Sequence, residues 1–405
     1  MPATFQDETT AVVAEIRDLF AQVIESKCGH SIGLAEVCEV FGIHRKLAWQ
    51  VTKVAYGEDP FNAARYMPTP KGIETWVRSA AERGVDGSLL ERVVEGAIRF
   101  EGLVETHAGS RTAMDMLLES CVEAPSEDID VRWRQRAFEG NGYIWGVHAR
   151  TMAAFTILAP SATRRGWLDV AQVRSLIDFR RTRPDTRWMI GQGTVTGSGE
   201  AAGLPDRQPL DPDTARRAGG VPVIGEFTSD PLPELERRSA EPPVVIDELL
   251  PGQIGQAGQV TITTGEVIRN LAPAYATEPG QRAHFGTGVG TPAEAMFYDH
   301  FVHKDLFEGV RRELCVFGEV GRPYTHDERD RLRVPEQIQH LGHGLARVHT
   351  PDAPGYAPLL RYAFGRCHWD AGDFDLYRVR MAYPPLSTSV MIRHELPEPP
   401  DWLEA

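Results

Sequence analysis

Gly42 stands between two short runs of helical periodicity, and this placement constrains the chain more than any other feature. A residue without a Cβ enters the left-handed conformation cheaply, so Gly42 predicts the end of one helix and a tight turn into the next. Within LAEVCEVFGIHRKLAWQVTK, residues 34–53, the side chains Val37, Cys38, Phe41, Ile43, Ala48 and Val51 fall where two steeply crossing helices bury apolar or small groups. The second helix then turns His44, Arg45, Lys46, Trp49, Gln50 and Lys53 outward, with Arg45, Trp49 and Lys53 spaced four apart along one stripe. That face carries no acid. Its Arg and Lys suit phosphates or guanine edges, and its Gln suits adenine, which are the donors that major-groove reading requires.

The segment resembles the helix-turn-helix of bacterial transcription regulators, over residues 34–53 and the helices around them. The resemblance implies that the second helix is a recognition helix, that double-stranded DNA is the partner, and that Arg45, Lys46, Gln50 and Trp49 read bases. It also implies a homodimer on two half-sites. Two positions depart from the family pattern. Cys38 stands where such motifs most often have Ala, and Trp49 is bulky for a groove and able to pack on a neighbouring helix instead. A plain three-helix bundle with a solvated cationic face is the other reading.

A formal net charge of −14 over 405 residues argues against indiscriminate nucleic-acid binding, so any DNA contact must be local. Two of the five lysines, Lys46 and Lys53, lie in the proposed recognition helix. Cys28, Cys38, Cys121, Cys315 and Cys367 are scattered and form no CxxC pair, which predicts reduced thiols rather than a disulfide framework or zinc knuckle. The N-terminus has no leader-like apolar core and no run approaches a membrane span, so the expectation is a cytoplasmic protein with no membrane partner.

The expected fold class is α+β: an all-helical domain at 1–125, a mixed helical connecting region at 126–190, a Gly/Pro-rich linker or loop at 191–243, and an α+β domain at 244–405. In the first, Val12, Ile16, Leu19, Phe20, Val23 and Ile24 make one stripe, Thr69 and Pro70 start a helix, and Ser88 with Glu91 reads as a capping box. The long helix from Ser88 and its successor from Ser110 serve either an intrachain core or a dimer interface. WLDVAQVRSLIDF reads as a helix, and the seven arginines between 164 and 187 as a solvated run or a phosphate contact. VVIDELL, QVTITTGEVI, ELCVFGEV, PLLRYAFG, DLYRVRMAY and TSVMIRHEL read as strands, interrupted by one helix over TPAEAMFYDHFVHKDLFEGVRREL.

Candidate chemistry in this half is sparse. Gly286, Gly288 and Gly290 lead into that helix and suit an anion site, or simply a flexible turn. His300 and His303 at helical spacing, and His340, His343, His349, His368 and Asp370 further on, suit a metal, or are solvated histidines. Asp327, Glu328 and Asp330 suit the first turn of a helix. No catalytic residue, metal ligand or cofactor is assigned. The leading expectation is a DNA-binding transcription regulator whose distal half senses a small-molecule effector or mediates assembly. The alternatives are an enzyme with a metal or anion site in residues 244–405, and an interaction or assembly protein.

Overall fold

The computed structural model describes residues 4–29, 33–121, 127–194, 206–239, 244–320 and 326–400. The chain divides into two compact units, Met1–Ser126 and Glu127–Ala405, and is α+β: helices dominate the first and sheets the second.

The first unit is built from α1 (Phe5–Cys28), α2 (Leu34–Phe41), α3 (Arg45–Tyr56), α4 (Pro60–Ala64), α5 (Pro70–Glu82), α6 (Gly87–Leu103) and α7 (Arg111–Cys121). A capping box between Thr4 and Asp7 starts α1, whose Val13, Ile16, Phe20, Val23 and Ile24 form a fully buried stripe. α6 lies close against it, since a Cβ on Gly96 would stand 3.0 Å from Ile16. Trp76 of α5 fills the centre, with Phe20 and Phe41 edge-on at centroid distances of 4.5 and 6.5 Å. Thr69 caps α5 ahead of Pro70. At α6 the cap is Asp86 rather than the expected Ser88: its carboxylate accepts from Leu89 N at 3.0 Å and holds the Ser88 hydroxyl as well.

In the second unit, α8 (Glu127–Trp145) leads into β1 (Val147–Pro160), β2 (Trp167–Arg181), β3 (Trp188–Thr194), β4 (Asp206–Pro209), α9 (Pro212–Arg217), β5 (Leu235–Ser239) and β6 (Val244–Leu249). β7 (Val260–Pro273), β8 (Arg282–Val289), β9 (Ala293–His303), β10 (Arg312–Gly318), β11 (Arg331–Leu332), β12 (Gln339–His343), α10 (Tyr356–Cys367), β13 (Phe374–Ala382) and β14 (Thr388–Glu395) complete it. A seven-stranded sheet runs in the order β12-β13-β9-β1-β2-β7-β4, antiparallel except where β1 and β9 pair in parallel. One face packs on α10 through Phe155, Val173, Phe297 and Phe301 against Leu360 and Phe364. The opposite face carries two smaller sheets. The sheet β11-β10-β14-β8 covers Ala154, Met296 and Met381, and the sheet β3-β6-β5 covers Leu176 and Ile262.

Several expectations are corrected here. WLDVAQVRSLIDF is strand β2, and TPAEAMFYDHFVHKDLFEGVRREL is β9, a turn and the start of β10. Both strands are buried on two faces, so their apolar residues run nearly continuously and mimic a helical stripe. PLLRYAFG belongs to helix α10 instead of a strand. Within the expected connecting region, β1 and β2 pair with β9 and β7 and so form the middle of the large sheet, preceded by helix α8 and followed by β3 of the three-stranded sheet. The described part of 191–243 supplies β4, α9, β5 and the end of β3; residues 195–205 and 240–243 of the expected linker lie outside the described residues. No helix among the described residues is long and apolar enough to cross a membrane.

Candidate nucleic-acid interface

The turn between α2 and α3 is built as its residue types dictate. Gly42 takes φ 59° and ψ 33°, in the left-handed region, and donates its N–H to Glu39 O at 3.3 Å. Side chains satisfy the last carbonyls of α2: Arg83 Nε donates to Val40 O and Ser79 Oγ to Phe41 O. The Arg83 guanidinium closes over Gly42, where an added Cβ would press into it. Gly42→Val is therefore expected to lower unfolding free energy by about 1–2 kcal/mol, from left-handed strain in a β-branched residue, before Arg83 is displaced. Urea denaturation measures it, and an unchanged midpoint would contradict the account.

His44 caps α3 through Nδ1, which accepts from Leu47 N at 3.2 Å. The inner face of α3 buries Leu47, Ala48, Val51, Val54 and Ala55, and Ile43 and Phe41 close the same core. Cys38 is half-buried rather than fully enclosed. The outer face exposes His44, Arg45, Lys46, Trp49 and Lys53, with Gln50 half-buried between them. Arg45, Lys46 and Lys53 make no ion pair or side-chain hydrogen bond among the described residues, and the first turn holds no acid against the positive helix end. Trp49 is 39% exposed and sets its ring edge-on against Tyr66 at 4.9 Å. It leans on the neighbouring segment, as its bulk suggests, and lines a hollow with Lys53, Tyr56, Glu58 and Asp59. Those two carboxylates sit at the C-terminal end of the face, so the electropositive part is its N-terminal half, Arg45 and Lys46, with the neutral amide of Gln50 beside them. Tyr56 and Tyr66, which line the same hollow, carry no signal in the sequence beyond being aromatic.

No protein-family profile matches the chain, and no curated protein or solved structure shows significant similarity to it.

The sites expected in the distal half do not assemble. Gly286 and Gly288 lie within β8 and Gly290 follows it; no helix begins there, so the helix-end anion site is corrected to a strand connection. His300 and His303 share strand β9, where a spacing of three places them on opposite faces: His300 is fully buried and His303 is near the surface. His340 and His343 both meet Asp375 Oδ1, at 2.9 and 3.1 Å, a carboxylate the sequence reading does not single out. Asp370 instead caps the turn Ala371–Asp373, His349 is exposed, and His368 ends α10 in the left-handed conformation. No group of three His, Cys, Asp or Glu among the described residues is arranged to hold a metal ion. Asp327 caps a short turn at Glu328–Asp330 rather than an α-helix. The arginine run is largely consumed internally. Arg181 is buried and donates to Leu250 O at 2.5 Å, Arg183 donates to Tyr143 O, Arg187 pairs with Glu236 and Glu248, and Arg164 stacks on Trp167.

Proposed function

We propose that this chain is a DNA-binding regulator in which α3 enters the major groove of double-stranded DNA, acting as a homodimer on two half-sites in the cytoplasm. The observation that carries the reading is a cationic helix face, Arg45, Lys46 and Lys53 with Gln50, that makes no ion pair among the described residues while its inner face is locked into a core. A chain with a formal charge of −14 has carboxylates to spare, so leaving these cations unpaired points to an external anion. In this reading Arg45 and Lys46 meet guanine O6 and N7 or flanking phosphates, Gln50 pairs with adenine N6 and N7, and Lys53 touches backbone. Trp49, held against Tyr66, borders the groove as a positioning contact. A small-molecule effector in the second unit would regulate the fit to an operator by changing the spacing of the two recognition helices.

Selection from a random-sequence duplex library by mobility shift tests the reading. A bipartite motif is expected to emerge, and Arg45→Ala with Lys46→Ala is expected to weaken its binding roughly 10- to 1,000-fold at moderate salt. The double variant should also flatten the dependence of log K on log salt, while Lys53→Ala should weaken all sequences alike. If no motif emerges and the double variant binds as the parent does, the reading fails.

A further inference from the structure

The second unit contains a cavity to which no element of the fold assigns a role. Two strands at the ends of their sheets, β8 of β11-β10-β14-β8 and β3 of β3-β6-β5, face each other across a gap on the shared face of the seven-stranded sheet, and about 340 Å³ remains open there. Its floor is Met152, Leu176, Ile262 and Met296, from four different strands of the large sheet. Trp188 of β3 forms one wall, and its indole Nε1 donates to Thr291 Oγ1 at 2.8 Å, just beyond the end of β8. That bond ties the two edges together at one end, so the gap suits a compact guest better than an extended chain running through it. Trp145, at the end of α8, stands at the mouth with its ring edge-on to Trp188 at 6.2 Å. Trp145 and Met189 both line the cavity and are 49% and 44% exposed, apolar surface that a guest of the same character would take out of water.

The charged residues in the lining are Arg174 and Glu319, and each already has an interaction partner within the chain, the Ser389 hydroxyl among those of Glu319. An ion entering this apolar gap would lose its hydration without gaining a counter-charge. Two of the lining hydroxyls are also taken, Ser175 by Thr263 and Thr291 by Trp188. Thr287 differs. It stands opposite Val390 in the β8–β14 ladder, so its side chain shares the face of that core residue and points toward the large sheet. Thr287 is 3% exposed, and its hydroxyl has no hydrogen-bond partner among the described residues. A buried hydroxyl in this state carries a desolvation cost that a guest bonding to it recovers.

We infer that this cavity binds a compact, uncharged aromatic molecule with one hydrogen-bonding group: the ring body lies between the tryptophans and the sheet, and a hydroxyl, carbonyl or similar group meets the Thr287 hydroxyl. The volume, at the lower end of the roughly 300–1,000 Å³ typical of ligand sites, limits the body to a small ring system. The site stands whether or not α3 meets DNA, and its test contains no DNA.

The test titrates the full chain with N-phenyl-1-naphthylamine, an uncharged probe whose fluorescence rises in apolar surroundings. Saturable enhancement is expected. Competition then ranks three naphthalenes of similar shape: 1-naphthol, which is uncharged at neutral pH, 1-methylnaphthalene, which lacks the hydroxyl, and 1-naphthoate, which carries a charge. 1-Naphthol is expected to bind about fivefold more tightly than 1-methylnaphthalene, the effect of one added hydrogen bond, and 1-naphthoate is expected to bind most weakly. Thr287→Val, which keeps the shape of the side chain and removes its hydroxyl, is expected to abolish the advantage of 1-naphthol over 1-methylnaphthalene. Trp145→Ala is expected to weaken the probe and all three competitors several-fold. Trp145 is exposed, so its removal leaves core packing in place, and circular dichroism checks that both variants remain folded. Absence of saturable binding, tightest binding by 1-naphthoate, an unchanged advantage of 1-naphthol in Thr287→Val, or indifference to Trp145→Ala would each overturn the assignment.

Discussion

Asp299→Ala is expected to lower the unfolding free energy of the second unit by about 3–5 kcal/mol, the cost of leaving one member of a buried ion pair without the other. Asp299 is fully buried on β9 and accepts from Arg378 Nε and Nη2, both at 2.7 Å, and from the Tyr356 hydroxyl at 2.8 Å. These contacts tie β9, β13 and α10 together at the centre of the core. Removal of the carboxylate leaves the buried Arg378 guanidinium with the Val348 carbonyl at 3.1 Å and the faces of Phe297 and Tyr356, and with no ion pair among the described residues. An internal control lies two residues along the same strand. Arg380 pairs with Asp352 at 2.7 Å, but its side chain is 52% exposed, so Asp352→Ala is expected to cost under about 1 kcal/mol. Chemical denaturation of both variants compares them directly. Equal losses would show that burial does not set the strength of these pairs.

The protein is expected to lose stability as pH falls from about 6.5 to about 4, because two histidines are buried in neutral form between the seven- and four-stranded sheets. His394 is 2% exposed with neither ring nitrogen hydrogen-bonded among the described residues; burial first, then Arg312 and His284, push its pKa down to about 4. Fully buried His300 is lowered well below its ordinary value by burial, His394 and Arg312, and its Nδ1 lies 2.8 Å from Thr156 Oγ1. Phe285 stacks on both rings, at 5.3 and 5.7 Å. A histidine whose folded pKa is depressed binds its proton more readily when unfolded, so acid below the unfolded value favours unfolding until the folded site also titrates. For His394 the full loss is about 3 kcal/mol. The carboxylates act lower: Glu313, held by Arg393 and Arg331 at about 2, keeps its contribution above about 4.5 and loses it toward 2. The two windows therefore separate. His394→Phe, which preserves the stacked ring, is expected to flatten the urea midpoint between pH 6.5 and 4.5. A parent and variant with identical slopes there would remove His394 from the account.

The candidate recognition face was legible because its determinants are local. Gly42, the apolar spacing of Val37, Phe41, Ile43, Ala48 and Val51, and the outward set from His44 to Lys53 all lie within twenty consecutive residues, and a helix converts spacing directly into facing. Even Trp49 carried its own warning in its size. What the sequence lacked was the partner ring, Tyr66, and the carboxylates Glu58 and Asp59 at the C-terminal end of the face, which local spacing does not bring into view. The aromatic cavity was invisible for the same reason: Trp145, Arg174, Trp188 and Thr287 come together only once three sheets are stacked.

By itself, the sequence determined the helical first unit, its two-helix turn and the strands β6, β7, β10, β13 and β14, since one-sided burial writes a period of 3.6 or 2 into the chain. The tertiary structure alone decided the identity of β2, β9 and α10. A strand covered on both faces needs apolar residues at nearly every position and so loses its alternation, while a helix pressed against a broad sheet gains a wide apolar face. At those positions burial overwhelms period, and only the neighbours brought from elsewhere in the chain settle which backbone satisfies its hydrogen bonds.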